Sequence, residues 1–281
     1  MSVPAGLGTR SSYFAQLFAL ARSSLARLAR PSSHPRRGEA RRRLAGHAVL
    51  LTTIGSALVV ALMVGLDVRE IELMPPRGSA GLWPVRILTD FGRAAFVLWL
   101  LAGLLLAVAL ILPRVRSARR SRLLVLGTHL QFLFLAVLVP VLAGELIKWI
   151  VGRGRPFVGG EANAFNFAHF AGTEAYASFP SAHAITSVAL AFAVSAVWRQ
   201  ARMPMILYAL LIIVSRLVLL AHHPSDVVAG AAIGLAGAML VRYWFAARHL
   251  GFVIGERGTI TPQQASKPRV AKRVARAAFA P

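Results

Sequence analysis

Six apolar runs, at about residues 47–66, 91–112, 123–147, 184–199, 204–222 and 225–247, leave this chain few ways to fold. Most approach the ~20 residues a helix needs to cross the hydrocarbon core of a bilayer. Backbone amides in lipid have no water to bond, so each such run must satisfy its own hydrogen bonds, which a helix does. The expected fold is therefore all-α, a polytopic membrane protein with about six transmembrane helices in a bundle. The fourth and fifth runs are short and are separated only by residues 198–204. Pro113 is expected to stop the second run and Pro140 to kink the third. Composition agrees, with 57% hydrophobic and only 15% charged residues, against roughly 25% charged in an average soluble domain. The chain has no cysteine, which excludes a disulfide framework, a thiolate nucleophile and a cysteine-based metal site.

The net charge of +22 invites a nucleic-acid reading. Its distribution argues otherwise, because the basic residues lie in the tails and in short loops between apolar runs. Residues 1–46 hold nine arginines and a single acid, Glu39. The 113–122 loop holds Arg114, Arg116, Arg119, Arg120 and Arg122 without an acid, and the 199–203 turn holds Arg199 and Arg202. Alternate segments thus share positive charge, which by the positive-inside rule makes them and both termini cytoplasmic. The 67–90 loop mixes Asp67, Glu70, Glu72 and Asp90 with arginines. It falls on the opposite side, together with the 148–182 loop and the 222–225 turn.

Residues 1–46 read as a basic cytoplasmic tail. Phe14, Leu17, Phe18, Ala21, Leu25 and Leu28 recur there at helical spacing beside Arg22, Arg27 and Arg30. That pattern suits an interfacial amphipathic helix on an anionic membrane face, and a disordered basic tail fits it equally. Residues 47–248 form the expected six-helix domain. Residues 249–281 are expected to be a basic, disordered tail.

Three polar clusters interrupt this frame: Lys148-x6-Arg155-Pro156, Pro180-Ser181-Ala182-His183, and Ser215-Arg216-x5-His222-x3-Asp226. Charge at membrane depth is costly and marks function by default. All three clusters fall at the ends of apolar runs on the non-cytoplasmic side, a convergence reached without using the clusters to assign sides. Fixed cations around two histidines suit a phosphoryl group, whose transfer needs positioning and charge stabilisation. His222 is the candidate nucleophile, since neutral imidazole can attack phosphorus and divide one displacement into two. Asp226 is placed to hold its tautomer, and as a first-turn residue after Pro224 it also suits the helix dipole. His183 is the candidate general acid and base. Lys148, Arg155 and Arg216 would neutralise the phosphate, with Ser181 and the Ala182 backbone at a helix N-terminus offering further donors. Simpler roles compete: Lys148 can pair with Glu145, Ser181 can act as an N-cap, and Ser215 can bond its own helix. Arg153 lies outside the cluster spacing, and His223 reads as an interfacial polar residue. The 157–178 loop, rich in Gly, Ala and aromatics, either covers the site or merely connects.

The ordered set KWIVGRGRP, FPSAH and SRLVLLAHHPSDVVAG resembles the type 2 phosphatidic acid phosphatase superfamily over roughly residues 45–248. Ala182 stands where that family usually has glycine, and alanine keeps the backbone N–H that the family uses. The resemblance implies a membrane phosphatase acting on a lipid phosphomonoester or an isoprenoid or other lipid diphosphate, through phosphohistidine and with no cofactor. His169 and Glu161 could be drawn with His222 and His223 as a metal site, but three nearby cations would repel a divalent ion. Undecaprenyl diphosphate, phosphatidic acid, phosphatidylglycerophosphate and a lipid A phosphate all fit as substrate, and the oligomeric state stays open. A phosphotransferase to a lipid or sugar hydroxyl is the alternative enzyme, and a scaffold or transporter retaining the site is the alternative outside enzymes. No nucleic-acid partner is expected. The arginine-rich style suggests a bacterial plasma membrane.

Overall fold

The computed structural model describes residues 12–76, 78–115, 118–156, 158–160 and 162–263. Among these residues it is all-α apart from one small hairpin. In chain order the helices are α1 (Tyr13–Ala29), α2 (Arg37–Gly65), α3 (Asp67–Leu73), α4 (Trp83–Asp90), α5 (Ala94–Ile111), α6 (Ala118–Val151), α7 (Ala182–Val197), α8 (Arg202–Val218) and α9 (Pro224–Ala247). Five stretches of the described residues are long and apolar enough to cross a membrane: Arg37–Gly65, Ala80–Arg114, Arg119–Val151, Arg199–Val218 and Pro224–Ala247. Helix α7, at 16 residues, is the short sixth. Among the described residues the protein is thus an integral membrane bundle with the expected six apolar segments.

Helix α9 is the hub, packed on α2, α6 and α7. Small residues let it approach α7. A Cβ on Gly230 would lie 2.5 Å from the Ser181 carbonyl oxygen, and one on Gly234 would lie 2.5 Å from that of Ile185. Such close contact is how helices associate in lipid, where packing replaces the hydrophobic drive. It also sets the start of α7 beside the start of α9, which is where two of the three polar clusters lie. Core residues Phe132, Val137, Ile185, Ala189, Ala238 and Phe245 fill the space between α6, α7 and α9. The outer faces stay apolar and exposed, for instance Ile54, Val60 and Val64 on α2 and Trp99 and Leu104 on α5. An apolar surface of that kind is the one lipid covers. Helix α5 stops at Ile111, and Leu112–Arg114 tightens into a 3-10 turn around Pro113. Pro140 sits inside α6, apposed to Gly237 of α9.

The tails differ from expectation at both ends. Helix α2 begins at Arg37, ten residues before the apolar run, and Ala40 is already buried. The N-terminal segment does form a helix, α1, capped by the Ser12 hydroxyl, which accepts from the Ala15 amide at 3.3 Å. Phe14, Phe18 and Leu25 are exposed on α1, while Leu20 and Leu28 pack against the core. Residues 249–263 are not a disordered tail. Strands β1 (Phe252–Ile254) and β2 (Ile260–Pro262) pair antiparallel. Phe252 is buried against Phe132, with ring centroids 4.7 Å apart. His34 accepts a hydrogen bond from the Ile254 amide at 3.2 Å, tying the hairpin to the chain before α2. The remaining C-terminal basic residues lie outside the described residues.

Candidate active site

The C-terminal end of α6, the start of α7, the end of α8 and the start of α9 meet at one end of the bundle. His222 sits in the turn between α8 and α9 and is buried. Its Nδ1 lies 2.8 Å from the carbonyl oxygen of Ser178. A carbonyl oxygen only accepts, so Nδ1 carries the proton and Nε2 keeps its lone pair. Burial lowers the basicity of this imidazole, and the positive charges of Arg216 and Arg155 and the neighbouring His183 act the same way. The ring therefore stays neutral near pH 7.

Asp226 was expected to hold that tautomer directly. Instead its Oδ2 lies 4.0 Å from His222 Nδ1. The reason is that its oxygens are already taken. Oδ1 accepts from Arg153 Nη1 at 2.6 Å, and Oδ2 accepts from the Ser178 hydroxyl at 2.6 Å and the His223 amide at 2.9 Å. Asp226 thus caps the start of α9 and fixes Ser178, whose carbonyl in turn orients His222. His223, expected at the interface, is fully buried at the N-cap position of α9.

Arg153, left aside by its spacing, is the keystone beneath the site. It is 1% exposed and bridges Asp226 to Asp67, with Nη2 2.8 Å from Asp67 Oδ2. The Ser225 hydroxyl, at 2.6 Å from Arg153 Nη1, and the Ala164 carbonyl complete its donors' partners. Asp67 also accepts from the Ser225 amide at 3.1 Å and from the Ser225 hydroxyl. Buried charges persist only when paired and hydrogen-bonded, and here they are. The local geometry places Arg153 strictly. Gly152 has φ +55°, and a Cβ there would fall 1.9 Å from the Ala168 carbonyl oxygen, so only glycine lets the segment around Ala168 fold back on the end of α6. In the same loop, His169 lies at the α6 end, its Nδ1 3.3 Å from the Ile150 carbonyl, while Glu161 falls outside the described residues.

Glu70, one turn after Asp67, is buried, and neither carboxylate oxygen has a hydrogen-bond partner. Burial first, then the charges of Asp67 and Asp226, push its pKa up to about 8, so it is neutral at pH 7. The native state then binds a proton that the unfolded chain gives up near the usual glutamate value. Stability should fall as pH rises from about 5 to about 8. Melting the detergent-solubilised protein across that range should show the decline, and Glu70→Gln should flatten it. An unchanged slope in the variant would assign the pH dependence elsewhere.

The phosphate-binding candidates divide into groups. Ser181 is fully buried at the N-terminus of α7, and its hydroxyl has no hydrogen-bond partner. It does not N-cap the helix through its side chain. A buried unsatisfied hydroxyl costs about 1–3 kcal/mol, so its retention needs a reason. Ala182 opens the helix beside it, and His183 follows in the first turn. The α4–α5 turn closes over His183, since a Cβ on Gly92 would lie 3.4 Å from its ring and 2.4 Å from Ile212. Arg216 is buried, and its Nη1 donates to Thr89 Oγ1 at 2.9 Å. The outer two cations are engaged by carboxylates: Lys148 with Glu145 at 2.6 Å, and Arg155 with Glu174 at 3.1 Å. Glu174 is 94% exposed, and such exposed pairs contribute only about 0–1 kcal/mol, so a doubly charged phosphate can displace them. Ser215 donates to the Ile212 carbonyl of its own helix at 2.6 Å.

A neutral imidazole of fixed tautomer, an unpartnered hydroxyl at a helix N-terminus and three cations, set at one end of an apolar bundle, are what a membrane phosphatase requires. Residues 129–250 match the family model described as the PAP2 superfamily, and the chain is similar to two lipid phosphatases. It is 28% identical to the lipid A 1-phosphatase of Rhizobium johnstonii over 212 residues, covering 75% of this chain and 85% of that protein. It is 31% identical to the lipid A 1-phosphatase of Rhizobium etli over 149 residues, 53% of this chain and 64% of that one. No solved structure matches the chain. The family match contains the three clusters and Arg153 but stops short of Asp67, Glu70 and Thr89, which the N-terminal half supplies.

Proposed function

We propose that this chain hydrolyses a phosphomonoester on a bacterial membrane lipid through a phosphohistidine at His222, with a lipid A 1-phosphate type of head group as its substrate. The observation that carries the mechanism is the 2.8 Å contact between His222 Nδ1 and the Ser178 carbonyl, which leaves Nε2 as a lone pair. The substrate class rests on the two relatives, both lipid A 1-phosphatases. In the first step Nε2 attacks phosphorus, the bond to the lipid oxygen breaks, and His183 gives that oxygen a proton. In the second, His183 takes a proton from water, whose oxygen attacks phosphorus as the N–P bond breaks. Arg216, Arg155, Lys148, the Ser181 hydroxyl and the α7 N-terminus stabilise the equatorial oxygens in both steps. Asp226 acts through Ser178.

Purified protein should release phosphate from a lipid A 1-phosphate faster than from phosphatidic acid, phosphatidylglycerophosphate or undecaprenyl diphosphate. A preference for the diphosphate would move the substrate to the isoprenoids. The buried carboxylates beneath the site, Asp67 and Asp226, are held by Arg153, so no metal is given a part in the reaction. Release should survive excess EDTA and fall with vanadate, which mimics five-coordinate phosphorus. Loss with chelator, restored by magnesium or zinc, would overturn this.

The site faces away from the cytoplasm of a bacterial plasma membrane, and both termini lie inside. This follows from the basic 113–122 and 199–203 segments at the opposite end of the helices. Reporter fusions active only after export should work within 148–182 and fail within 113–122. The reverse pattern would place the site on the cytoplasmic side.

A further inference from the structure

Toward the end of the bundle away from the catalytic site, α2, α7, α8, α9 and the hairpin line an open cavity of roughly 900 Å³. Helix direction puts its basic end there: Arg242 lies near the C-terminus of α9 and Arg43 and Arg202 near the N-termini of α2 and α8, whereas the site uses the other ends, and the apolar walls reach mid-helix at Val188, Ile213 and Leu235. The lining is polarised. Arg43, His47, Arg199, Arg202 and Arg242 gather at one end, and the lining contains no aspartate or glutamate. Val188, Ile213 and Leu235 line the other end. Arg202 and Ile213 lie on the same helix, eleven residues and therefore about 16 Å apart. Arg242 is set inward. Its guanidinium carbon stands 4.7 Å over the Phe192 ring, and its Nε is buried without a hydrogen-bond partner. Among the described residues no carboxylate forms an ion pair with any of these arginines.

A half-buried guanidinium held against an aromatic ring and among other cations, with no carboxylate partner, gains when an anion joins it. The apolar far wall is wasted on a free ion. Both features suit one ligand, an anionic amphiphile, and basic pockets between membrane helices are known binders of phospholipid head groups. We infer that this cavity binds an anionic phospholipid of the membrane, with its phosphate among Arg242, Arg202, Arg199 and Arg43 and an acyl chain running toward Ile213 and Leu235. The site is separate from the catalytic one and does not depend on the hydrolysis reading.

The test uses full-length protein, delipidated in detergent, with phosphatidylglycerol as probe. This lipid is a phosphodiester, which the phosphatase chemistry above does not consume. Native mass spectrometry should show retained phosphatidylglycerol, and the melting midpoint should rise with its concentration. Phosphatidylcholine and inorganic phosphate should do neither. Each arginine is worth roughly 1 kcal/mol to an anionic lipid, so Arg242→Gln should weaken phosphatidylglycerol binding about fivefold. Arg43 and Arg199 are exposed at the mouth. Arg43→Gln with Arg199→Gln should therefore fold normally and still lose affinity, which covers the case in which Arg242→Gln fails to fold. His222→Ala should bind phosphatidylglycerol as the unaltered protein does. Equal binding of phosphatidylcholine, or arginine variants that bind unchanged, would overturn the inference. So would a midpoint shift reproduced by inorganic phosphate, which would make the ligand a free anion, or loss of binding in His222→Ala, which would place the lipid in the catalytic site.

Discussion

His222→Ala should abolish phosphate release and leave no phosphate on the protein after acid-free quenching with labelled substrate. Removing a nucleophile removes the covalent route entirely, and losses of roughly 10⁵–10⁶-fold are the scale seen when such a residue goes. His183→Ala should behave differently. It keeps the nucleophile with its Ser178 contact and loses proton transfer, a contribution of roughly 10²–10⁴-fold. With an aryl phosphate, whose leaving group needs little protonation, the first step should persist. The second still needs a base for water, so the phosphoenzyme should accumulate. It should be alkali-stable and acid-labile, as a phosphoramidate is. Asp226→Asn should slow labelling by loosening Ser178, because its Oδ2 binds the Ser178 hydroxyl and stands 4.0 Å from the imidazole. Labelling in His222→Ala, or none in His183→Ala with the activated substrate, would reverse the assigned roles.

Much of this molecule is readable from local sequence. The six apolar runs need no partner to be recognised, and the polar clusters are defined by spacing within one turn or loop. Lys148, His183, Arg216 and His222 fall at helix ends because helix ends are where an apolar bundle can keep polar groups. What escaped is long-range. Asp67 and Arg153 are separated by 86 residues, and no periodicity links a carboxylate after the first apolar run to an arginine between two glycines. The Gly152-Arg153-Gly154 pattern was the visible signal, because paired glycines often free a backbone to place one side chain strictly. Ser178 escaped because its main contribution is a carbonyl, which every residue has. The hairpin after α9 escaped because Phe252 and Ile254 are few among glycine and charge, and their burial against Phe132 depends on the assembled bundle. Asp226 illustrates a subtler gap. Its spacing from His222 suggested direct contact, but the carboxylate's capacity was consumed by Arg153, Ser178 and the helix cap.

Arg153→Ala should damage the protein more than loss of any of the phosphate-binding cations. It would leave Asp67 and Asp226 buried together with no counter-charge, and removing one partner of a buried pair costs about 3–5 kcal/mol. Against a total stability of roughly 5–15 kcal/mol, that is enough to lower yield and the melting midpoint sharply. Arg153→Lys should keep the charge but cannot span both carboxylates, since an ammonium lacks the guanidinium fork. It should fold with a lowered midpoint and release phosphate at least roughly tenfold more slowly, because Asp226 and Ser178 would no longer be held in register with His222. Arg153→Met combined with Asp67→Asn should recover part of the stability lost in Arg153→Ala, as it leaves one buried carboxylate where the single variant leaves two. Arg155→Ala provides the contrast. Its side chain is only partly buried and its carboxylate partner is exposed, so the fold should be unaffected while KM rises. An Arg153→Ala protein that melts and turns over like the unaltered chain would mean that the Asp67–Arg153–Asp226 bridge does not hold the site together.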